Sequence, residues 1–270
     1  MPSDLSLFQP MHRKVPYDER DCIAHRLGWK NEYYEGWVHI TPAHTAIVSL
    51  CLELTPQVED AKRTAFIRPP QPDDEIPLIR LFQMAFKRSV EYAGYPHRAL
   101  RKEAATSMHA FFVRDRIGWP SASRVVECDG KVIAGALIVA GNASPVVQPL
   151  FVHPKHQHQG WGTTVMKAVV NRLLDIGCVR LYSRCHLGNA PSLKWHAKFG
   201  FVELPDVWIA AHRARHFQYE AERHTRLGDL PEEELIKLRQ EEDWWWDEWR
   251  RLIALEKEDY HAVHPMIRQW

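Results

Sequence analysis

The sequence predicts an α/β (α+β) fold in which helices flank a central mixed sheet, and two patterns within its 270 residues carry this prediction. The apolar run 150–152 leads into a polar turn, and a helical pattern follows over residues 163–176 and ends at a glycine. Upstream, two apolar runs flank Asp129-Gly130, a pair that suits the tight, positive-φ turn of a β-hairpin. Strands and helices therefore share the middle of the chain.

The first 64 residues contain an arm and two predicted strands. Residues 1 to about 20 are polar and interrupted by prolines, which favours an irregular arm. Apolar and polar positions alternate over residues 45–54, as in a strand with one buried face, and residues 33–40 are predicted as another strand. The proline within residues 41–44 separates the two. We expect a β-hairpin extension that adds to the main sheet or covers its edge.

The next segment is predicted to open the central domain with a strand and two helices. Residues 65–68 form the strand, and a proline-rich turn with two aspartates follows it. The first helix has four apolar residues on one face: Ile79, Phe82, Ala85 and Phe86. A second helix is predicted over residues 99–114.

Four further strands frame the central helix. Residues 123–128 and 131–140 form the hairpin at Asp-Gly, and residues 145–152 form the strand that leads to the polar turn. After the helix, residues 178–183 are predicted as a strand. The order around the turn is thus strand, strand, strand, helix, strand.

Beyond residue 206 the sequence predicts a helical extension. Helices are predicted over residues 210–226 and about 231–261, and the second begins with proline and three glutamates, which favour a helix N-terminus. One face of that helix carries Leu238, Trp245, Trp249 and Leu252. Trp244 and Trp246 lie about 100° to either side, so the tryptophans cannot all meet one surface. Packing on the protein's own domain is the simplest explanation, and a groove or a homodimer interface is the alternative.

The turn at residues 157–162 has the features of an anion-binding site. It precedes a predicted helix, whose first N–H groups have no intrahelical acceptor. The helix dipole adds partial positive charge at the same place. Gly160 and Gly162 have no side chain to keep phosphate oxygens from the backbone. A pyrophosphate group fits these features.

Residues downstream of the turn extend the pattern. Asn189 follows the next predicted strand, Ser192 comes three residues later, and residues 199–201 read Phe-Gly-Phe. Together with the turn, they resemble the GNAT family of acyl-CoA-dependent acetyltransferases. The matching residues are Gln157, Gly160, Gly162, Asn189, Ser192, Gly200 and Phe201. The resemblance covers residues 66–205 and departs at one position, where His196 replaces the family's usual tyrosine.

The resemblance implies acetyl-CoA as the cosubstrate and a GNAT-type sheet. In the family, a bulge splays the strand before the turn from its neighbour and opens a slot for the cosubstrate. Here the end of that strand would pair with the pantetheine amides, and the N–H near Val152 and His153 would stabilise the oxyanion. Gln157 could cap the turn, and Asn189 could contact pantetheine or cap a helix. The implied binding residues are Phe151, Val152, His153, Gln157, His158, Gln159, Gly160, Trp161, Gly162, Thr163, Thr164, Asn189 and Ser192.

The catalytic residues implied by the resemblance are less regular. Many relatives have a glutamate on the strand that ends at residue 152, but this chain has Gln148 there. Glu127 and His153 are the remaining candidates for a base, each acting through water, with a purely structural role as the alternative. His196 would donate a hydrogen bond to the departing sulfur without being an essential acid, or would only pack beside Trp195.

Other site chemistries are disfavoured by the residue pattern. Cys185 and His186 are adjacent on a predicted strand, so their side chains point to opposite faces and do not form a Cys–His nucleophile. Three histidines lie within residues 153–158, but no carboxylate or cysteine joins them, and no metal is expected. A dinucleotide site is not indicated, because G-x-G-x-x-G is absent.

Composition bounds the partners and the compartment. The 35 basic and 34 acidic residues give a formal charge of +1, which argues against nucleic acid and against an anionic membrane surface. No long apolar run and no signal-peptide core occur, so we expect a cytoplasmic protein. The five cysteines are scattered, and reduced thiols are the default.

These observations converge on a cytoplasmic N-acetyltransferase that transfers an acetyl group from acetyl-CoA to a primary amine by direct attack. The acceptor is a small molecule or a peptide. The predicted parts are an arm and hairpin (1–64), an acetyltransferase domain (65–206) and a Trp-rich helical extension (207–270). The alternative is a non-catalytic acyl-CoA-binding module whose extensions recruit partners. A DNA-binding regulator is disfavoured, because residues 1–65 predict strands rather than a helix-turn-helix.

Overall fold

A computed structural model describes residues 10–64, 66–113, 119–141 and 144–257. The chain divides into two compact units. The first comprises Met1–Ser49, Cys185–Leu193 and Glu203–Trp270, and the second Leu50–Arg184 and Lys194–Val202. The limits of the three parts predicted from the sequence stay predictions.

The elements alternate in type along the middle of the chain. The strands are β1 (Met11–Lys14), β2 (Trp29–Tyr34), β3 (Trp37–Pro42), β4 (Ile47–Glu53), β5 (Ile67–Arg68), β6 (Arg124–Cys128), β7 (Lys131–Ala140), β8 (Pro145–Val152), β9 (Arg180–His186) and β10 (Val202–Leu204). The α-helices are α1 (Ala61–Thr64), α2 (Glu75–Phe86), α3 (His97–Val113), α4 (Trp161–Asp175), α5 (Ala190–Phe199), α6 (Val207–Leu227) and α7 (Glu232–Lys257).

The described strands form two sheets. The smaller has the order β1-β3-β2 and is antiparallel. The larger has the order β10-β4-β9-β8-β7-β6-β5. The pairs β5–β6, β6–β7 and β7–β8 are antiparallel, whereas β8 and β9 run parallel. The sheet is therefore mixed, as the sequence predicts.

The N-terminal strands differ from the sequence prediction. Residues 33–40 are not one strand, because Glu35 and Gly36 form a turn with φ of 47° and 78° that joins β2 to β3. The predicted irregular arm is wrong for Met11–Lys14, which pairs with β3, and residues 1–9 lie outside the described part. The strand predicted at 45–54 is β4, but it joins the larger sheet rather than a hairpin with residues 33–40.

The central elements follow the prediction closely. The Asp129-Gly130 hairpin is β6–β7, with positive φ at both turn residues. The predicted strand at 145–152 is β8, and the predicted central helix is α4. Ala65, Arg114 and His261, at the ends of three predicted elements, lie outside the described residues.

The core of the second unit lies between α2, α3 and the sheet. It combines Leu78, Leu81, Phe82, Leu100, Ala104, Met108, Phe111, Val125, Leu137 and Phe151, all buried. Helix α4 buries its own apolar stripe, which includes Val165, Met166 and Val169. Burying each large apolar side chain stabilises the fold by about 1.5–3 kcal/mol. Together these side chains hold β7 and β8 in a fixed register.

Helices α6 and α7 pack on each other within the first unit. Asp206 begins α6 by accepting hydrogen bonds from the N–H groups of Trp208 and Ile209, at 2.9 and 2.8 Å. The buried cluster between the helices contains Ala210, Ala214, Trp245 and Leu252, with Trp246 and Trp249 partly buried against it. Trp245, Trp246 and Trp249 therefore pack on the chain itself, as the simpler interpretation has it, whereas Trp244 is exposed.

A histidine cluster lies at α6 in the same unit. The His25 ring stacks on Tyr219 at 4.9 Å and lies 5.8 Å from the His216 ring. The Nδ1 atoms of His25 and His216 are buried without a hydrogen-bond partner. Burial, and next to it His216, lowers the pKa of His25 from 6.5 to about 4, against an opposing effect of Glu220. Burial also lowers the pKa of His216 and His212.

We expect this cluster to make folding pH-sensitive. Below pH 6.5 the unfolded chain protonates His25, whereas the folded chain does so only near pH 4, so stability is lost as the pH falls between these values. The loss is on the order of 2–3 kcal/mol. The free energy of unfolding, measured with urea from pH 7 to pH 4, should fall less for His25→Phe than for the wild type. Exposed His44→Gln is the control. An equal fall in His25→Phe and the wild type would refute the assignment.

The two adjacent tryptophans of α7 give a matched test of packing. Trp245 is 8% exposed and Trp244 is 56% exposed. Trp245→Ala should lower the free energy of unfolding by about 3–5 kcal/mol, because it opens a cavity against α6. Trp244→Ala should stay within about 0.5 kcal/mol of the wild type. Equal effects of the two substitutions in chemical unfolding would contradict the packing that we describe.

Candidate active site

Strand β8 separates from β9 soon after it starts. The two strands run parallel and pair at Val146 and Tyr182, and the residues described for both strands show no further pair. On its other edge, β8 stays paired with β7 as far as Val152, opposite Ala134. A gap in the sheet therefore opens beside the C-terminal half of β8.

A bulge in β8 accompanies this separation. Leu150 pairs with Ala136 and Val147 pairs with Ile138, so two residues of β8 stand opposite one residue of β7. The extra residue belongs to Gln148-Pro149. A bulge bends a strand and increases its local twist, which moves the end of β8 away from its parallel neighbour. This geometry matches the splayed strands that the resemblance implies.

The backbone of Val152 faces the gap. The N–H of His153 donates to the carbonyl of Ile133 at 2.8 Å, which makes Val152 and Ala134 a non-hydrogen-bonded pair. The N–H and C=O of such a residue point away from the paired strand. Gln157 Nε2 donates to the Val152 carbonyl at 3.3 Å, and the N–H faces the gap. The N–H of His153 is already used, so the predicted oxyanion donor is Val152 alone.

Phe151 has a packing role in the structure. Its ring is buried in the core and lies 6.3 Å from the ring of Phe82. In register it pairs with Gly135 of β7, so its backbone groups face β7. The backbone groups that face the gap belong to Leu150 and Val152, and the predicted pairing of Phe151 with pantetheine does not fit this register.

The turn after β8 exposes a row of backbone amides. A 3-10 helix at Pro154–His156 is followed by His158 and Gly160, with φ of 60° and 84°, and α4 then begins at Trp161. The hydrogen bond from the Thr164 N–H to the Gly160 carbonyl (2.9 Å) is the first turn of the helix. The N–H groups that precede it have no intrahelical acceptor. The turn therefore leaves these N–H groups without helical acceptors, and anion binding there stays a prediction.

Several predicted turn side chains bond within the turn or to α5. Gln159 Nε2 donates to the Lys155 carbonyl at 3.1 Å, and the Thr164 hydroxyl donates to the Gly160 carbonyl at 3.0 Å. Thr163 Oγ1 accepts from Trp195 Nε1 at 3.1 Å. These bonds fix the shape of the turn and engage the three side chains within the protein.

One residue at the turn was missed by the sequence analysis. Arg63 Nη1 donates to the Gln159 carbonyl at 2.7 Å, and its guanidinium lies 4.8 Å from the centre of the Trp161 ring. Arg63 precedes the turn by almost a hundred positions, and no local pattern links the two. Only the folded chain shows this contact.

Asn189 and Ser192 lie in the first unit, at the start of α5. Asn189 Oδ1 accepts from the Ser192 N–H at 3.2 Å, and the Asn189 carbonyl accepts from the Leu193 N–H at 3.0 Å. Asn189 is thus a helix cap, one of its two predicted roles. Contact of either residue with a cosubstrate stays a prediction.

His153 is poorly placed to act as a base. Its Nδ1 accepts a hydrogen bond from the Lys155 N–H at 3.2 Å, so the neutral ring carries its proton on Nε2. Burial lowers its pKa, and His156 and Lys155 lower it further. Taking up a proton would cost the Lys155 hydrogen bond and would put a cation beside Lys155.

Glu127 belongs to an ion-pair group on β6. Arg68 Nε and Nη2 both lie 2.7 Å from Glu127 Oε2, and Arg68 also pairs with Asp74 at 2.6 and 2.9 Å. Asp74 is buried and also accepts from the Gln71 N–H at 2.7 Å. Glu127 thereby holds the start of α2, and β7 stands between its strand and β8. This arrangement favours the structural role over that of a base.

His196 is 4% exposed, and its ring packs edge-on to Trp195 and Phe201. Its Nε2 lies 2.9 Å from the hydroxyl oxygen of buried Ser183 on β9. A proton donor must reach the departing sulfur, whereas this ring is enclosed by protein. The packing alternative is therefore favoured for His196.

The structure also bears on the Cys–His pair, the metal site and the membrane span considered from the sequence. The two ring nitrogens of His186 meet the Gly188 N–H and the Ala43 carbonyl, each at 3.0 Å, so this ring serves the backbone. Over the described ranges, no group of three or more His, Cys, Asp or Glu side chains is arranged to hold a metal ion. None of the helices in that part of the chain is both long enough and apolar enough to span a bilayer.

Residues 83–201 match the family model described as Acetyltransferase (GNAT) family. No curated protein matches the sequence. Two similar solved structures are the PaiA N-acetyltransferase of Thermoplasma acidophilum in complex with coenzyme A and a GNAT family acetyltransferase of Brucella melitensis in complex with acetyl-CoA. The first is 16% identical over 49% of this chain and 86% of that one, with a TM-score of 0.42. The second is 21% identical over 51% and 85%, with a TM-score of 0.38.

The contact of His196 with Ser183 gives a test of its role. His196→Ala should lower the free energy of unfolding by about 2–4 kcal/mol, since it leaves a cavity and a buried hydroxyl without this partner. Ser183→Ala, which removes only the hydroxyl, should cost about 1 kcal/mol. Chemical unfolding measures both.

A catalytic role would produce a different pattern. If His196 donated a proton to the leaving group, deprotonation of its ring would slow the wild-type reaction at alkaline pH. The pH–rate profile of folded His196→Ala would then lack this alkaline decrease. We expect an unchanged profile, and a shifted profile with near-normal stability would overturn the packing role.

Proposed function

We propose that this chain is an N-acetyltransferase that transfers an acetyl group from acetyl-CoA to a primary amine. The observation that carries the proposal is the gap beside β8, where the Val152 N–H lies without a strand partner just before the amide turn. A thioester with a diphosphate at its far end needs both features. The family domain at residues 83–201 supports the same conclusion.

The residues present fit the phosphate end of acetyl-CoA. Gly160 has φ of 84°, and a Cβ there would stand 3.1 Å from Arg63 Nη1, so glycine keeps the turn open at this position. A Cβ on Gly162 would make only an ordinary contact, 3.6 Å from Val152 Cγ2. The N–H groups of Trp161, Gly162 and Thr163 would hold the diphosphate. In the gap, the backbone of Leu150 and Val152 would bond the pantetheine amides as an added strand.

The chemistry that the site supports is direct acyl transfer. The amine nitrogen forms a bond to the carbonyl carbon, the carbon–sulfur bond breaks, and the thiolate takes up a proton as the amine loses one. The Val152 N–H donates to the carbonyl oxygen, where negative charge develops. Because His153 and Glu127 are engaged elsewhere, the amine releases its proton to water. The conjugate thiol has a pKa of about 8.5, so the thiolate can leave without an acid to protonate it.

A second candidate is a non-catalytic acyl-CoA-binding module. It is favoured by one observation, that the three predicted acid–base side chains all have structural partners. The two candidates share the binding site and differ in turnover. The acceptor class, the cytoplasmic location, a homodimer and the absence of nucleic-acid and membrane partners stay predictions.

Thiol release separates the two candidates. The purified chain should release CoA from acetyl-CoA in proportion to an added primary amine, chosen from a panel of polyamines, amino acids and peptides, with one acetylated amine formed for each thiol. Mass spectrometry identifies the product. Binding of acetyl-CoA without amine-dependent thiol release would favour the module.

Binding itself is tested at Gly160. Saturating CoA, at about 100 times its Kd, should stabilise the wild type by about 2.7 kcal/mol and raise its Tm. Gly160→Val should abolish this shift, because the side chain would fill the turn. Gly177→Val is the matched control, since Gly177 has φ of 80° at the other end of α4 with nothing within 4 Å of its Cβ position. Loss of the shift in both variants, or in neither, would contradict the assignment.

A further inference from the structure

A segment between β4 and β5 is attached along the surface of α4. The N–H and carbonyl of Gln57 bond the side-chain amide of Asn171, at 2.8 and 2.9 Å. Lys167 Nζ donates to the Val58 carbonyl at 2.9 Å, and Asn171 Nδ2 donates to Glu59 Oε1 at 2.7 Å. Lys167 lies one helical turn closer to the start of α4 than Asn171. The segment therefore runs toward the amide turn.

Arg63 stands at the end of this segment, against the turn. Its hydrogen bond to the Gln159 carbonyl and its position over the Trp161 ring fix the guanidinium from two sides. The Trp161 ring is itself held edge-on by Phe66, at 6.5 Å. The Arg63 side chain is 37% exposed, and Nη1 lies 3.1 Å from the place that a Cβ of Gly160 would take. A fixed cation thus borders the amides.

The charge of Arg63 is only weakly compensated. The Asp60 carboxylate lies 3.8 Å from Nε, beyond hydrogen-bond distance, and Asp60 Oδ1 accepts from the Lys62 N–H. A guanidinium has five N–H donors in a planar fork, and the contact with Gln159 occupies one. The remaining donors can meet phosphate oxygens.

We propose that Arg63 binds the diphosphate of CoA, as a specificity residue contributed from outside the matched family domain. The proposal rests on the proposed function, because it places the diphosphate on the amide turn. Arg63 adds a full charge to the partial charges of the N–H groups, and charge-assisted hydrogen bonds are the stronger kind. Its contacts with Gln159 and Trp161 hold the guanidinium before the ligand arrives, so little side-chain entropy is lost on binding.

The alternative is that Arg63 only fastens the segment to the turn. Titration calorimetry with three ligands distinguishes the roles: CoA, dephospho-CoA, which lacks the 3′-phosphate, and pantetheine, which lacks every phosphate. Arg63→Ala should raise the Kd for CoA and for dephospho-CoA equally, by about 10- to 100-fold, and leave pantetheine unchanged. Arg63→Lys should recover part of the loss. Lys62→Ala, an exposed neighbour on α1, should match the wild type.

Each other outcome overturns a defined claim. A loss for CoA alone would place Arg63 at the 3′-phosphate and refute the diphosphate assignment. A loss that includes pantetheine would show that the turn is disturbed and refute direct contact. Wild-type affinities in Arg63→Ala would refute any role in binding. If the wild type binds none of the ligands, the proposed function fails, and that result is distinct from a failure confined to the variant.

Discussion

The backbone groups of Leu150 and Val152 face a gap in a sheet, and this constraint shapes the site. An unpaired backbone N–H that is shielded from water costs about 1–3 kcal/mol, so such groups need water or a ligand. Strand β8 cannot close the gap, because its other edge is held by β7 in a register fixed by the core. The bulge at Gln148-Pro149 directs the strand away from β9. The unpaired backbone groups on which the proposed function rests thus follow from the β7–β8 register.

The polar side chains predicted for acid–base roles, and the partners that they bond, mainly maintain the architecture. Arg68 joins β6 to the start of α2 through Glu127 and Asp74. His153 closes the 3-10 turn after β8, and Gln157 connects that turn back to the Val152 carbonyl. The last contact matters most for the proposed function, because it fixes the amide turn relative to Val152, the proposed oxyanion donor. A change at either end would alter the distance between these two parts of the proposed site.

The sequence predicted those features that depend on local chemistry. Asp129-Gly130 identified the β6–β7 hairpin because positive φ is demanded by the turn itself, and Gly160 identified the amide turn for the same reason. Glu35-Gly36 forms a comparable turn, but it lies inside an apolar-aromatic stretch that resembles one continuous strand. The amphipathic pattern of β4 fixed its buried face and left its pairing partner undetermined. Pairing depends on contacts across the chain.

Site side chains were less predictable, because their roles depend on partners distant in sequence. Glu127 and His196 are residue types suited to proton transfer, yet Arg68 and Ser183 engage them. Arg63 gave no signal, since its partners are a carbonyl and a ring almost a hundred residues away. The segment that leads to Arg63 is bonded to Lys167 and Asn171, which lie four residues apart on one face of α4.

Different faces and the first turn of helix α4 therefore have three different roles. Its apolar face is buried and fixes its direction, the opposite face carries Lys167 and Asn171, and its first turn presents free amides. A site made of backbone groups constrains side chains only where they would obstruct it. That explains why glycines are the clearest sequence signal of the proposed site. It is also consistent with a binding role for Arg63, which we propose and which comes from a segment outside the matched residues, where no backbone requirement limits it.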